Sequence, residues 1–212
     1  MCFDQPLGNF IIEGIPFAFM NKDISRLSEF MDELTVHLNF YREERPDINY
    51  LFGFKHITES AVRALSPGLN DPGTAIKAID YLTDLFILRM RLTDERVLCD
   101  EDDEIRVIFL HETFERVLKI NLNPIRLYGK SSSVIVLRLL YMFRSLLHKV
   151  SEYPHLKPII YREIKMLLND VDVAVTNQED RRSINEKVLG LNDMEVLSKN
   201  LPLLRIDNSD NL

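Results

Sequence analysis

Apolar residues recur along most of this chain at the spacing of an α-helix. From Ile24 to about Arg42, Leu27, Phe30, Met31, Leu34 and Leu38 follow one another at steps of three, four or one, and Ser25 stands where a cap belongs. Arg45-Pro46-Asp47 breaks the run. Ile48 to Leu65 then resumes it, with Phe54, Ile57, Ala61 and Leu65 along one side. A third helix is predicted from Pro72 to about Leu92, with Ala75, Ile79, Leu82, Phe86 and Met90 as its buried stripe. A fourth starts near Glu112 and is bent or interrupted at Asn123-Pro124, because proline removes a donor and crowds the preceding turn. Gly129 marks its stop. Ser131 or Ser132 caps a fifth helix through about Tyr153, and Pro154 and Pro158 bracket the start of a sixth that reaches about Thr176. Two shorter helices follow, from Gln178 to Leu189 and from Asp193 to Asn200.

Two stretches leave the helical period. Phe10-Ile11-Ile12 and Phe17-Ala18-Phe19 flank Glu13-Gly14-Ile15-Pro16, which predicts two short strands and a tight connection. An isolated hairpin is marginal, so this one needs helices or further strands to pack on. Arg96 to Cys99 and Glu104 to Phe109 predict a second hairpin around Asp100-Glu101-Asp102-Asp103. That acidic run lacks the spaced ligands and turning glycine of a calcium loop, and it reads as a solvated tip. The expected fold is mainly α, a multi-helix bundle with a small N-terminal β-hairpin element and a short internal β-hairpin. The expected division is a short β element over 1–22, a helical domain over 23–205 containing a hairpin near 96–109, and a flexible tail over 206–212.

Composition narrows the function more than the fold. An apolar fraction of 46% and a charged fraction of 28% in 212 residues suit a globular protein with a sizeable core. The net charge of -7 disfavours nucleic acid as a partner, since phosphate backbones are bound by Lys and Arg. Cys2 and Cys99 form no metal-ligand spacing, and a reduced intracellular setting is the simplest reading. No secretory signal stands at the N-terminus. A membrane-spanning helix needs ~20 mostly apolar residues. Phe10 to Met20 is interrupted by Glu13, Gly14 and Pro16, and Val134 to Leu147 carries Arg138 and Arg144. The chain as it stands is expected to be soluble.

The densest cluster of turn residues is Ala64-Leu65-Ser66-Pro67-Gly68-Leu69-Asn70-Asp71-Pro72-Gly73-Thr74-Ala75. Pro67 stops the second helix, Gly68 permits reversal, Asp71 can accept from the first free amides of the third helix, and Pro72 suits its first position. These conformational roles account for the loop without a ligand. An anion at this helix start would meet Asp71, so a cation or hydroxylated ligand is the alternative.

With Phe52-Gly53, Ala61 to Arg63 and Asp80, this segment resembles the signature of the predicted bacterial membrane proteins called domain of unknown function twenty-two fifty-four. Gly8-Asn9-Phe10 with Gly14-Ile15-Pro16-Phe17-Ala18 is similar to the family's upstream strand element. Arg126-Leu127-Tyr128-Gly129 with Arg138-Leu139-Leu140 is similar to a downstream motif, and the likeness extends to about Leu189. Two departures stand out: Asn49 replaces a usual aspartate, and Thr58-Glu59-Ser60 replaces a more apolar segment. The resemblance implies several N-terminal transmembrane helices ahead of a region like this one. It also implies a place on the cytoplasmic side of the inner membrane, with a membrane-embedded N-terminal region or membrane partner, and association as a homo-oligomer.

The polar residues of the matched motifs are the candidate ligand-binding set: Arg63, Ser66, Asn70, Asp71, Asp80, Arg126 and Tyr128. A charge network that fixes helix register is the competing reading for the ionised members. The histidines His37, His56, His111, His148 and His155 have no strong metal spacing; His56 and Glu59 share a helix face but lack the further carboxylates of a di-metal bundle. Phosphate-loop, nucleophile-elbow and zinc-helix motifs do not occur, and Ser131-Ser132-Ser133 reads as a helix start. No catalytic residue, metal or cofactor is assigned. A non-enzymatic role in assembly or regulation is expected, with a small-ligand receptor or enzyme beside the Ser66 to Pro72 loop as the alternative.

Overall fold

The computed structural model describes residues 1–6, 8–21, 28–38 and 40–206, and among these the side chains of 28–31, 35 and 95 are not described. The expected helix start at Ile24, its Ser25 cap, the side chains of Leu27, Phe30 and Met31, and the tail from 207 onward lie outside the described residues. The protein is mainly α, with seven α-helices and a four-stranded sheet among the described residues. Two compact units form, one from Met1–Gly53 and Thr93–Thr113, the other from Phe54–Leu92 and Phe114–Leu212.

The first unit holds β1 (Cys2–Phe3), β2 (Ala18–Phe19), α1 (Ser28–His37), β3 (Glu95–Cys99) and β4 (Ile105–Leu110). The N-terminal hairpin is not the one expected. Phe10, Ile11 and Ile12 form no strand, and β2 pairs antiparallel with Cys2 and Phe3 instead. β1 in turn runs parallel to β4, giving the order β2-β1-β4-β3. The internal hairpin falls where its alternation predicts, but it belongs to this sheet and is grouped with the N-terminal unit, outside the helical one. The aromatic pattern explains the pairing. Phe3 is buried, its ring stacks on Phe109 at 4.8 Å, and it lies 6.3 Å from Phe17, which meets Phe40 edge-on at 5.9 Å. Such ring pairs contribute about 0.5–1.5 kcal/mol each beyond area burial, enough to favour this register in a sheet with two-residue strands.

At the hairpin tip Asp100 accepts from the Asp102 and Glu104 amides at 3.1 and 3.0 Å and from Arg106 Nε at 2.5 Å. The Arg106 guanidinium therefore holds its carboxyl below the usual range. Gly8 has φ +91°, and a Cβ there would fall 1.6 Å from Asn49 Nδ2, so only glycine fits. Asn49 itself accepts from the Leu51 amide at 3.0 Å, as a helix-capping asparagine does.

The second unit is a bundle. It contains α2 from Phe54 onward (the whole helix is Tyr50–Ala64), α3 (Pro72–Arg89), α4 (Phe114–Gly129), α5 (Ser133–Lys149), α6 (Lys157–Ala174) and α7 (Gln178–Asn192). α5 packs against α3, α4, α6 and α7. Ile135, Val136, Leu139, Leu140, Met142, Phe143, Leu146 and Leu147 are all buried, a wider apolar stripe than a surface helix carries. Ser132 occupies the cap position of α5, although its side chain makes no cap hydrogen bond.

An interruption of α4 at Asn123-Pro124 and a final helix over Asp193 to Asn200 are both absent. Pro124 does not interrupt α4; the helix continues to Gly129, and Ile120, whose carbonyl loses its usual donor, lies on the exposed side where water can serve it. Residues 193–200 are turns and bends rather than a final helix, with Glu195 at φ +53°. Their place in the fold is to reverse the chain so that 201–206 can lie back along α7.

Gly129 ends α4 under tight packing. A Cβ at Gly129 would stand 2.5 Å from Ile135 Cγ2, and Ile135 is wholly enclosed. Gly129→Ala is expected to destabilise the protein by about 1–3 kcal/mol, as overpacked cores do. Urea unfolding measures this, and a midpoint equal to the wild type would show that the α4–α5 corner can relax.

Candidate functional site

The candidate residues all fall in the helical unit, at the α2–α3 connection, along α3 and at the end of α4. The connection keeps the expected turn and cap, but its left-handed residue is Asn70 and not Gly68. Ser66 Oγ donates to the Arg63 carbonyl at 2.7 Å, and the Ser66 carbonyl accepts from the Leu69 and Asn70 amides at 3.1 and 2.9 Å. Asn70 takes φ +46°, a left-handed conformation that asparagine tolerates. The Asp71 amide donates back to the Ala64 carbonyl at 2.8 Å, closing the loop across its base. Asp71 then caps α3 with Oδ1 on the Thr74 amide at 3.0 Å and Oδ2 on the Thr74 hydroxyl at 2.5 Å. The Thr74 hydroxyl, with the Thr74 amide, holds the Asp71 carboxyl below its ordinary range.

The loop and the downstream motif meet through apolar atoms. Leu65 Cδ1 lies 3.6 Å from the place a Gly129 Cβ would occupy. The charged candidates do not converge. Asp80 on α3 is bound by Arg138 on α5, whose guanidinium also lies 5.0 Å from the Tyr141 ring centroid. Arg126 on α4 donates from Nη1 to Asp170 on α6 at 2.7 Å and from Nη2 to Asn123 at 3.1 Å. Arg63 is exposed and takes part in none of the ion pairs among the described residues; Tyr128 and Asn70 are also exposed. Each interhelical pair is partly open to water, so each contributes on the order of 1 kcal/mol or less. Two pairs on different helices therefore fix register more than they add stability.

Thr58, Asn121 and Glu163 are among the buried polar residues outside the candidate set. Thr58 donates from its hydroxyl to Asn121 Oδ1 at 2.7 Å, and Asn121 Nδ2 donates to the Val117 carbonyl at 2.8 Å. Glu163 is only 4% exposed and faces a cavity of about 10 Å³ that Arg126, Leu122, Leu139, Phe143 and Leu167 also line. This space admits nothing larger than a water molecule. Arg126 Nε is buried there with no hydrogen-bond partner among the described residues. Burial pushes the Glu163 carboxyl above its ordinary range, while Arg126, Lys119 and Arg162 oppose the shift. The signal for Glu163 was present: it occupies the apolar stripe of α6 between Ile160 and Leu167. His56 is exposed and Glu59 pairs with Lys55 at 3.8 Å; no group of three or more His, Cys, Asp or Glu side chains suited to a metal occurs among the described residues.

The fold and these contacts define a helical domain in which Ser66, Asn70 and Asp71 shape a turn and a cap while Asp80 and Arg126 tie helices. This chain belongs to the predicted membrane protein family DUF2254, which matches residues 1–145. It is similar to an uncharacterized protein of Mycobacterium bovis and to uncharacterized proteins of two Mycobacterium tuberculosis strains, each 26% identical over 150 residues. The alignments cover 70% of this chain and 28% of each relative, so the chain spans under a third of their length. No solved structure matches it significantly. No helix among the described residues is long and apolar enough to cross a membrane.

A raised folded-state value means that the native state holds more protons than the unfolded chain between the ordinary glutamate range and that value. Stability is then lost as pH rises through this window. Thermal melts from pH 4 to 8 should show that loss in the wild type, and Glu163→Gln should flatten it. Parallel curves for the two proteins would mean that Glu163 is solvated.

Proposed function

We propose that this chain is a non-enzymatic domain that assembles with, or regulates, a membrane-embedded region on the cytoplasmic side of the membrane. The carrying observation is the loop after β1. Phe10 is 91% exposed, Ile12 and Ile15 are more than half exposed, and Ile11 is also open. Four large apolar side chains within six residues form a patch, unlike the singly scattered apolar residues that any surface carries. Withdrawing Phe10 alone from water is worth roughly 1.5–3 kcal/mol, so the patch is costly to leave uncovered.

Family membership supports an embedded occupant for this patch. The family is described as predicted membrane protein, and 28% coverage leaves most of each relative's chain outside the aligned region. The proposed partner of this chain is such an embedded region, in cis or on a neighbouring protein. Self-association of two copies through Phe10 and Ile12 belongs to the same reading. The alternative of a receptor or enzyme pocket beside Ser66 to Pro72 gains no support from contacts in which Asp71, Asp80 and Arg126 are already engaged.

Expression in the native host, followed by membrane fractionation with salt washing, tests the proposal. The wild type should sediment with membranes, and Phe10→Asp with Ile12→Asp should reduce that fraction about tenfold or more, as loss of at least ~1.4 kcal/mol implies. A wild-type chain that stays in the supernatant as a monomer would overturn the reading.

A further inference from the structure

The last described residues lie against α7 in an arrangement that helix packing alone does not require. Asn192 and Asn185 each grip one residue of the returning segment through both backbone groups. Asn192 accepts from the Leu201 amide at 2.8 Å and donates to its carbonyl at 3.3 Å; Asn185 does the same to Leu204 at 2.7 and 3.0 Å. The two asparagines are seven residues apart on the helix, a rise of roughly 10 Å. Leu201 and Leu204 are three apart, which spans about 10 Å only in extended chain. The segment therefore runs extended and antiparallel to α7, with its main chain read at matching intervals.

One turn before Asn185, the buried Arg181 continues the grip. It donates from Nε to the Arg205 carbonyl at 2.5 Å, and Asp172 on α6, itself bound by Arg181, accepts from the Arg205 amide at 3.0 Å. Leu201 and Leu204 are 3% and 4% exposed, whereas Pro202, Leu203 and Arg205 face outward. Main-chain recognition combined with two apolar sockets at i and i+3 is how extended peptides are bound, with affinity from the backbone and selection by the sockets.

We propose that the α6–α7 face is a binding site for an extended peptide carrying leucine-like residues at i and i+3, and that residues 201–206 are its tethered, displaceable occupant. The occupant is already in place on its own chain. The turns and bends of 193–200 form the hinge about which it can leave. A free peptide must compete with a tethered one, whose effective concentration for a short linker is in the millimolar range, so the site stays closed until the strap is released.

The test uses the full chain. Leu201→Asp with Leu204→Asp empties the two sockets, and a fluorescent synthetic peptide of residues 199–206 reports the site by anisotropy. The released variant should bind this peptide at least about 100-fold more tightly than the wild type does, in keeping with removal of a tethered competitor. Adding Asn185→Ala and Asn192→Ala should abolish the gain. If the released variant is folded by circular dichroism yet binds no better than the wild type, the proposal fails. Should it not fold, a protease site inserted between Glu195 and Ser198 of the otherwise wild-type chain is cut after folding. Exchange of the labelled peptide into the cut protein supports the proposal, whereas retention of the original segment without exchange, or unfolding on its removal, shows an integral part of the core and overturns it.

Discussion

A helix packed against four others keeps only a narrow face for water, and that constraint organises the helical unit. α5 meets α3, α4, α6 and α7, so its side chains must be apolar around most of its circumference. Any polar atom that approaches it must bring a partner, because an unpaired buried group costs about 1–3 kcal/mol. The contacts obey that demand. Arg138 leaves α5 to meet Asp80, Arg126 crosses from α4 to Asp170, and Thr58 joins Asn121. Glu163 is the exception: burial raises its carboxyl above the ordinary range, near an Arg126 nitrogen that has no partner among the described residues.

Seen from that constraint, the Ser66 to Pro72 loop closes one end of the bundle. Asn70 at positive φ turns the chain, Asp71 caps α3 at the Thr74 amide, and Leu65 packs toward Gly129. The loop therefore approaches the end of α4 through a Leu65 methyl and the Gly129 backbone. The loop's polar residues serve the local chain, whereas Arg126 near the end of α4 reaches Asp170 on α6.

Helix periodicity was readable because it repeats over many residues, and α2 to α7 fall within a few residues of their expected bounds. The Asp71 cap and Pro72 at the helix start were equally legible, being decided within four residues. What escaped was decided at long range. Cys2 and Phe3 became a strand because Phe109 and Phe17, distant in sequence, offered ring contacts, while the more strand-like Phe10-Ile11-Ile12 stayed exposed. The expected helix at 193–200 lost to the returning segment, whose main chain takes the Asn185 and Asn192 amides. Charge partners were also beyond reach: the sequence marks Asp80 and Arg126 as notable but does not say that Arg138 and Asp170 complete them.

The two units divide the work differently. The helical one encloses its polar groups and grips an extended segment of its own chain; the sheet unit leaves its largest apolar loop open. The claim on which the rest turns is that Asp80 with Arg138, and Arg126 with Asp170, tie helices together. A charge-swap cycle tests it most directly, with urea midpoints measured for Asp80→Arg, Arg138→Asp and the double variant. Each single swap should lower the midpoint and the double swap should restore most of the loss. Single variants as stable as the wild type, or a double variant no better than the singles, would contradict the account.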